Sequence, residues 1–129
     1  MTIRKYKLIT GEKFSIFSLE KNGKKPISDF LLELEKRDDN SYKTLLRKLK
    51  LIADRGIPYN EEIFKIIKGY DNLYEIKSKQ IRIFCFFYGE KIIITTNYFK
   101  KQSNKTPQHE IKKAESIKQE YLNNKKGEE

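Results

Sequence analysis

Apolar and polar positions alternate along Leu73–Phe87 and again beyond Glu90, the spacing of β-strands. Ser78–Ile81 reads as a tight turn with Lys79 and Gln80 at its tip. That register places Ile76 opposite Ile83, Tyr74 opposite Cys85 and Lys77 opposite Arg82. Gly89-Glu90 reads as a second turn, because Gly supplies the positive φ that a two-residue hairpin loop needs. It sets Cys85 against Ile94, Phe87 against Ile92 and Arg82 against Asn97. One face then collects Ile76, Ile83, Cys85, Phe87, Ile92 and Ile94, a core face. The other collects Glu75, Lys77, Arg82 and Asn97, with Phe84, Phe86 and Ile93 farther along.

Residues 3–20 read as extended, with Gly11 as a turn or bulge, and residues 22–26 as a loop. A helix is expected from an Ser28 N-cap, with Phe30, Leu31 and Leu34 as its stripe. Asp38–Ser41 breaks it. A second helix follows, capped by Asn40 or Ser41, with Tyr42, Leu45, Leu46, Leu49, Ile52 and Ala53 at helical spacing. Gly56 and Pro58 stop it. Its row of Lys43, Arg47, Lys48 and Lys50 reads as a solvated face. Residues 59–70 are compatible with a strand or a helical turn. Thr106-Pro107 opens a C-terminal helix with Ile111, Ala114, Ile117 and Tyr121 on one stripe. The expected fold is α+β: an N-terminal helical hairpin on an antiparallel sheet, then a C-terminal helix. Residues 1–129 form one domain, with 123–129 expected as a frayed tail. The expected core is Leu45, Leu49, Ile76, Ile83, Cys85, Ile92 and Ile94.

Charge changes the picture. The chain carries 28 Lys and Arg against 18 Asp and Glu, a formal net charge of +10. This favours an acidic partner, whether nucleic acid, an anionic membrane surface or an acidic protein segment. Lys-, Ile- and Asn-rich usage with little Arg also fits an AT-biased genome. The single cysteine, Cys85, excludes a disulfide framework and a cysteine metal cluster, and the single histidine, His109, excludes a His cluster. No cofactor or metal is expected. No apolar stretch follows Met1 and none is long enough to span a bilayer, so the expected compartment is the cytosol.

The one constellation with chemistry is cationic: Lys77, Lys79, Arg82, Lys100, Lys101 and Lys105. Lys77 opposite Arg82 is repulsive. Either the two are solvated charges on an open face or they converge on an anion. Removing one of them should hold or raise stability. A phosphate suits such a cluster, because Arg grips it bidentately and Lys adds point charge. Phe99 is a candidate for stacking on a base, ahead of Tyr74 and Tyr98. His109 reads as a surface or capping residue rather than a general acid.

These residues also resemble a known family. Leu73-Tyr74-Glu75-Ile76-Lys77, Arg82-Ile83-Phe84, the loop Lys100-Lys101-Gln102-Ser103-Asn104-Lys105-Thr106-Pro107, and Glu110-Ile111 resemble the RelE/ParE superfamily of type II toxins, in its phage-derived HigB-like branch. Gly23–Pro26 and Asp29-Phe30-Leu31 extend the likeness more weakly. The chain departs at Lys77, where Arg is usual, and at Asn97-Tyr98, where the branch often has His-Gly. The resemblance implies a ribosome-dependent mRNA endonuclease that needs no metal. It implies that Arg82 holds the scissile phosphate while Lys77 and Lys101 stabilise charge or move protons. Lys79, Asn97, Phe99, Lys100 and Lys105 would bind RNA. The implied partners are mRNA, the ribosome and a cognate antitoxin, expected to carry a helix-turn-helix. The alternative is a ParE-like toxin that binds and inhibits DNA gyrase.

Overall fold

The computed structural model describes residues 3–103 and 105–128. Two strands come first: β1 (Ile3–Thr10) and β2 (Ser15–Lys21). Helices α1 (Pro26–Arg37) and α2 (Asp39–Arg55) follow. Then come β3 (Phe64–Ile66), β4 (Tyr74–Ser78), β5 (Ile81–Phe87), β6 (Ile92–Lys100) and α3 (Gln108–Glu128). The fold is α+β, as expected, but the helical hairpin is not N-terminal, because the β1–β2 hairpin precedes it. The strands form one six-stranded sheet in the order β1-β2-β6-β5-β4-β3. It is mixed rather than antiparallel, since β2 pairs with β6 in parallel, Ser15 beside Ile92 and Ser18 beside Thr95. Extended backbone was legible in residues 3–20. Its parallel partner, some 75 residues away in sequence, leaves no local pattern.

Helix ends follow capping chemistry, shifted from the expected residues. Pro26 occupies the first turn of α1, which begins two residues before Ser28 and has no side-chain cap. Asp38 both closes α1 and opens α2. Its N–H donates to Leu34 O, and its carboxylate accepts from Ser41 N at 3.1 Å and Ser41 Oγ at 2.7 Å. These bonds, the hydroxyl's first, hold the Asp38 carboxyl below its ordinary value, with a smaller contribution from Lys79 and Lys100. Asp38 is therefore the α2 cap, not Asn40 or Ser41. Gly11 packs where no side chain fits: a Cβ there would lie 2.3 Å from the Ala53 carbonyl carbon. The same Ala53 carbonyl accepts from Lys13 N and Phe14 N, pinning the β1–β2 turn to the end of α2.

The sheet is covered on both faces. Against α1 and α2 lie Ile16, Phe64, Ile76, Ile81, Ile83, Cys85 and Ile93, with Phe30, Leu34, Leu45, Leu49 and Ile52 from the helices. Against α3 lie Ile3, Phe17, Leu19, Phe86 and Ile94, meeting Tyr121, and then Leu73, Phe84 and Phe99, meeting Ile111 and Ala114. β5 is central, so Ile81–Phe86 are all buried and the strand is apolar throughout except at Arg82. Burial pushes the Cys85 thiol far up, which leaves it an inert core residue.

The β4–β5 register is the expected one: Tyr74 opposite Cys85, Ile76 opposite Ile83, Lys77 opposite Arg82. The β5–β6 register is not. Tyr88 N donates to Ile92 O across a three-residue Gly89–Lys91 loop, with Gly89 at φ 76°. The extra residue pairs Phe87 with Ile93 and Phe86 with Ile94. An irregularity between Ile83 and Cys85 then shifts the pairing once more, so Phe99 rather than Asn97 faces Arg82. A shift of one residue swaps faces. Ile93 therefore belongs to the α1–α2 core, Ile94 is buried under α3, and Ile92 is only half-buried. The α3 helix continues through Glu128, where a frayed tail from Asn123 was expected. No helix among the described residues is long and apolar enough to cross a membrane.

Candidate functional site

On the α3 side of the sheet, Lys65, Glu75 and Phe84 stand in one cross-strand row, and Lys77, Arg82 and Phe99 in the next. α3 covers the Phe84 and Phe99 end. The β3–β4 end stays open as a groove of about 800 Å³, bounded by β3, β4, the loop after β6 and the first turn of α3. Lys65, Lys68, Lys77, Lys101 and Lys105 line it, and Glu75 is the one acid among its lining residues. Arg82 opens onto an adjoining hollow of about 410 Å³, shared with Gln80, Lys101, Gln102 and Ser103. Lys101 and Ser103 border both spaces, so the two meet at Lys101.

Arg82 is held rigidly. Its Nη1 donates to Lys79 O at 2.6 Å and to Ile81 O at 3.0 Å. Its Nε lies 3.2 Å from Glu75 Oε1, an ion pair off the line of a directed hydrogen bond. Glu75 Oε2 accepts from Thr106 Oγ1 at 3.3 Å, so one carboxylate ties Arg82 to the loop that leads into α3. Glu75 is diagonal to Arg82 across the strands, within reach of a long side chain. Removing Arg82 would relieve its repulsion with Lys77, but the Glu75 contact argues against the expectation that stability holds or rises. Removal would strip the cation from a carboxylate that is only 3% exposed.

Lys77 has its pKa lowered, first by desolvation, then by Lys65, Arg82 and Lys101, against a raising contribution from Glu75. Lys101 N donates to Gln80 O at 2.7 Å, fixing the loop's start beside the β4–β5 turn. The structure thus brings Lys77, Arg82 and Lys101 together and adds Lys105 at the groove's rim.

The other expected residues go elsewhere. Lys79 Nζ donates to Ser41 Oγ at 3.3 Å, and Lys100 stands opposite Ile81, so both flank Asp38 on the α1–α2 side. Asn97 is buried. Its Nδ2 lies 3.3 Å from both Glu110 O and Glu110 Oε1, and its Oδ1 accepts from Thr96 Oγ1, which anchors the first turn of α3. Phe99 is 8% exposed and stacks on Phe84 with ring centroids 5.7 Å apart, so it is core and offers no face to a base. Tyr98 stacks on Phe30 and Tyr74 packs on Phe64 and Phe87. His109 is exposed beside Glu110 and does not line the groove. Asn104 lies outside the described residues.

Sequence reasoning missed Lys65 and Lys68. The signal was present: Phe64-Lys65-Ile66 alternates, which puts Lys65 on the face opposite the two apolar residues. Three residues were too few to separate a strand from a helical turn. No group of three or more His, Cys, Asp or Glu able to hold a metal occurs among the described residues.

Fold and groove together define a small α+β protein with a cationic cleft where the α3 layer stops. Residues 32–119 match the phage-derived protein Gp49-like family (DUF891), and the chain belongs to it. That family is RelE-like and toxin-like. The matched span holds every residue that lines the groove and leaves out β1 and β2. No curated protein matches the chain.

Proposed function

We propose that this protein is the toxin of a type II toxin–antitoxin pair, on the HigB-like branch of the RelE/ParE superfamily. It would act in the cytoplasm as a ribosome-dependent mRNA endonuclease that stops translation. The observation that carries this reading is the meeting of the Lys77 groove and the Arg82 hollow at Lys101. RNA backbone cleavage moves the 2′-hydroxyl proton to a base, forms a bond from that oxygen to phosphorus, and breaks the bond to the 5′-oxygen, which takes up a proton. Fixed cations stabilise the charge on the phosphoryl oxygens, often by several kcal/mol per well-placed donor. Arg82, held by the Lys79 and Ile81 carbonyls and by Glu75, would receive the phosphate without reorganising. Lys77, whose amine is easier to deprotonate than an ordinary lysine, is suited to proton transfer. Lys101 would stabilise charge. The cognate antitoxin, a helix-turn-helix protein in this reading, would cover the groove with an acidic segment.

A ParE-like inhibitor of DNA gyrase is the second reading. It is favoured by the engagement of Arg82 with Glu75, Lys79 O and Ile81 O, which leaves the guanidinium fewer free donors. The deciding experiment is primer extension on mRNA with and without ribosomes, beside a gyrase supercoiling assay. Lys77→Ala and Lys101→Ala should each cut cleavage and growth inhibition at least tenfold, and Lys43→Ala, on a solvated face of α2, should not. Wild-type protein that inhibits gyrase and leaves mRNA intact would select the second reading.

A further inference from the structure

The groove is larger and more cationic than one phosphate needs. Five lysines line it, and none has an ion-pair or side-chain hydrogen-bond partner among the described residues. Glu75 is engaged by Arg82 and Thr106. Four lysines elsewhere do have acidic partners: Lys43 pairs with Asp39, Lys50 with Asp54, Lys118 with Glu115 and Lys21 with Glu120. Lys65 and Lys68 lie at the β3 end, across the groove from Lys101 and Lys105. Lys65 is held on a strand, opposite Glu75. Lys68 precedes the Gly69–Asn72 turn and is exposed. Five cations gathered along one cleft walled by Ile67, Ile111 and Pro107, with a single engaged acid, suit an extended polyanion better than a single anion.

We infer that Lys65 and Lys68 form a second phosphate-binding subsite, which takes the backbone of single-stranded RNA one or more nucleotides from the phosphate held by Arg82. This rests on the RNA reading of the same groove. Close contact of Lys65 with this cleft agrees with its depressing effect on Lys77. The flanking strand would run along β3, which is the sheet's edge beyond β4.

The test is fluorescence anisotropy of a labelled eight-nucleotide oligouridylate, without ribosomes, over a range of salt. Each phosphate neutralised in a single strand contributes about 0.7 to the slope of log affinity against log salt. Lys65→Ala and Lys68→Ala should each lower that slope by about 0.7, so each variant loses roughly 2.6-fold less affinity than wild type between 50 and 200 mM salt. Lys65→Gln, which keeps the stem on β3, should behave as Lys65→Ala, and Lys43→Ala should match wild type. Uridine 3′-monophosphate should not distinguish Lys68→Ala from wild type, because it has no flanking phosphate. Wild-type binding with unchanged slopes in both variants would overturn the second subsite and leave the RNA reading standing. Absence of oligonucleotide binding by the folded wild type would overturn the second subsite, and the ribosome-dependent cleavage assay would then decide the RNA reading by itself. Variants that lose affinity only for an acidic antitoxin peptide would reassign the subsite to protein and overturn the inference.

Discussion

Arg82→Ala should destabilise the protein, although it removes one of two cations opposed across β4 and β5. The reason is Glu75, which is 3% exposed and loses its only ion-pair partner among the described residues. Breaking a buried pair from one side costs about 3–5 kcal/mol. Two features set the lower end. Arg82 borders a hollow that admits water, and Glu75 keeps the Thr106 hydroxyl. Relief of repulsion with Lys77 subtracts at most about 1 kcal/mol. A net loss of about 2–3 kcal/mol remains. Unfolding entropy of about 2.1 cal/mol/K per residue gives ~0.27 kcal/mol/K for this length, so Tm should fall by about 7–11 °C. Differential scanning calorimetry at neutral pH measures it, on Arg82→Ala, Glu75→Gln and the double variant. The double variant should lose less than the two single losses added together, by about 1–3 kcal/mol, because neither partner is then stranded. A Tm that holds or rises in Arg82→Ala, or strictly additive losses, would refute the pairing argument. Activity lost in Arg82→Ala is thus interpretable only below the lowered Tm.

Two further predictions test the scaffold and the groove. Gly11→Ala forces a Cβ into the Ala53 carbonyl and should cost about 1–3 kcal/mol, read by urea unfolding, because that wall is helix backbone and not a movable side chain. The Lys77 amine, lowered by desolvation and by Lys65, Arg82 and Lys101, should titrate below the ordinary lysine value in NMR of reductively methylated protein. The folded state then holds this proton less tightly than the unfolded one, so Lys77 detracts from stability at low pH and that cost fades as pH rises from its lowered pKa towards 10.5. Lys65→Ala should move the Lys77 titration upward, and an unmoved curve would separate the two residues.

How far the sequence carried depended on loop length and on burial of both faces. The β4–β5 hairpin was legible because Lys79-Gln80 is a true two-residue turn, which fixes register by itself. The β5–β6 hairpin was not, because Lys91 joins the loop and an irregularity follows near Phe84. Alternation could not expose the error. Ile81–Phe86 are buried on both faces, so either assignment of inward and outward looked plausible. Asn97 was therefore set opposite Arg82, a place that Phe99 takes. Lys79 and Lys100 were assigned to the cluster by proximity in sequence, but their strand ends project past the sheet towards Asp38.

The location of the charged row follows from where the second layer ends. Under α3, the outer face of the sheet is apolar from Ile3 and Phe17 through Phe86 to Phe84 and Phe99. The helix is fixed there at both levels. Asn97 holds Glu110 in its first turn, and Lys118 Nζ donates to the Asp71 carbonyl farther along. Pro107 bars helix from continuing back over β4, since the residue before a proline is driven out of the helical region. The sheet beyond that point has no apolar cover, and Glu75, Lys77 and Arg82 appear there. A polar row can stand at such a strand end, although Glu75 and Arg82 are themselves nearly buried and are satisfied by pairing with each other. Solvation alone would be met by balanced charges. An excess of lysines facing one engaged carboxylate is unfavourable for folding, and the part of the groove that repels itself is the part a polyanion would relieve.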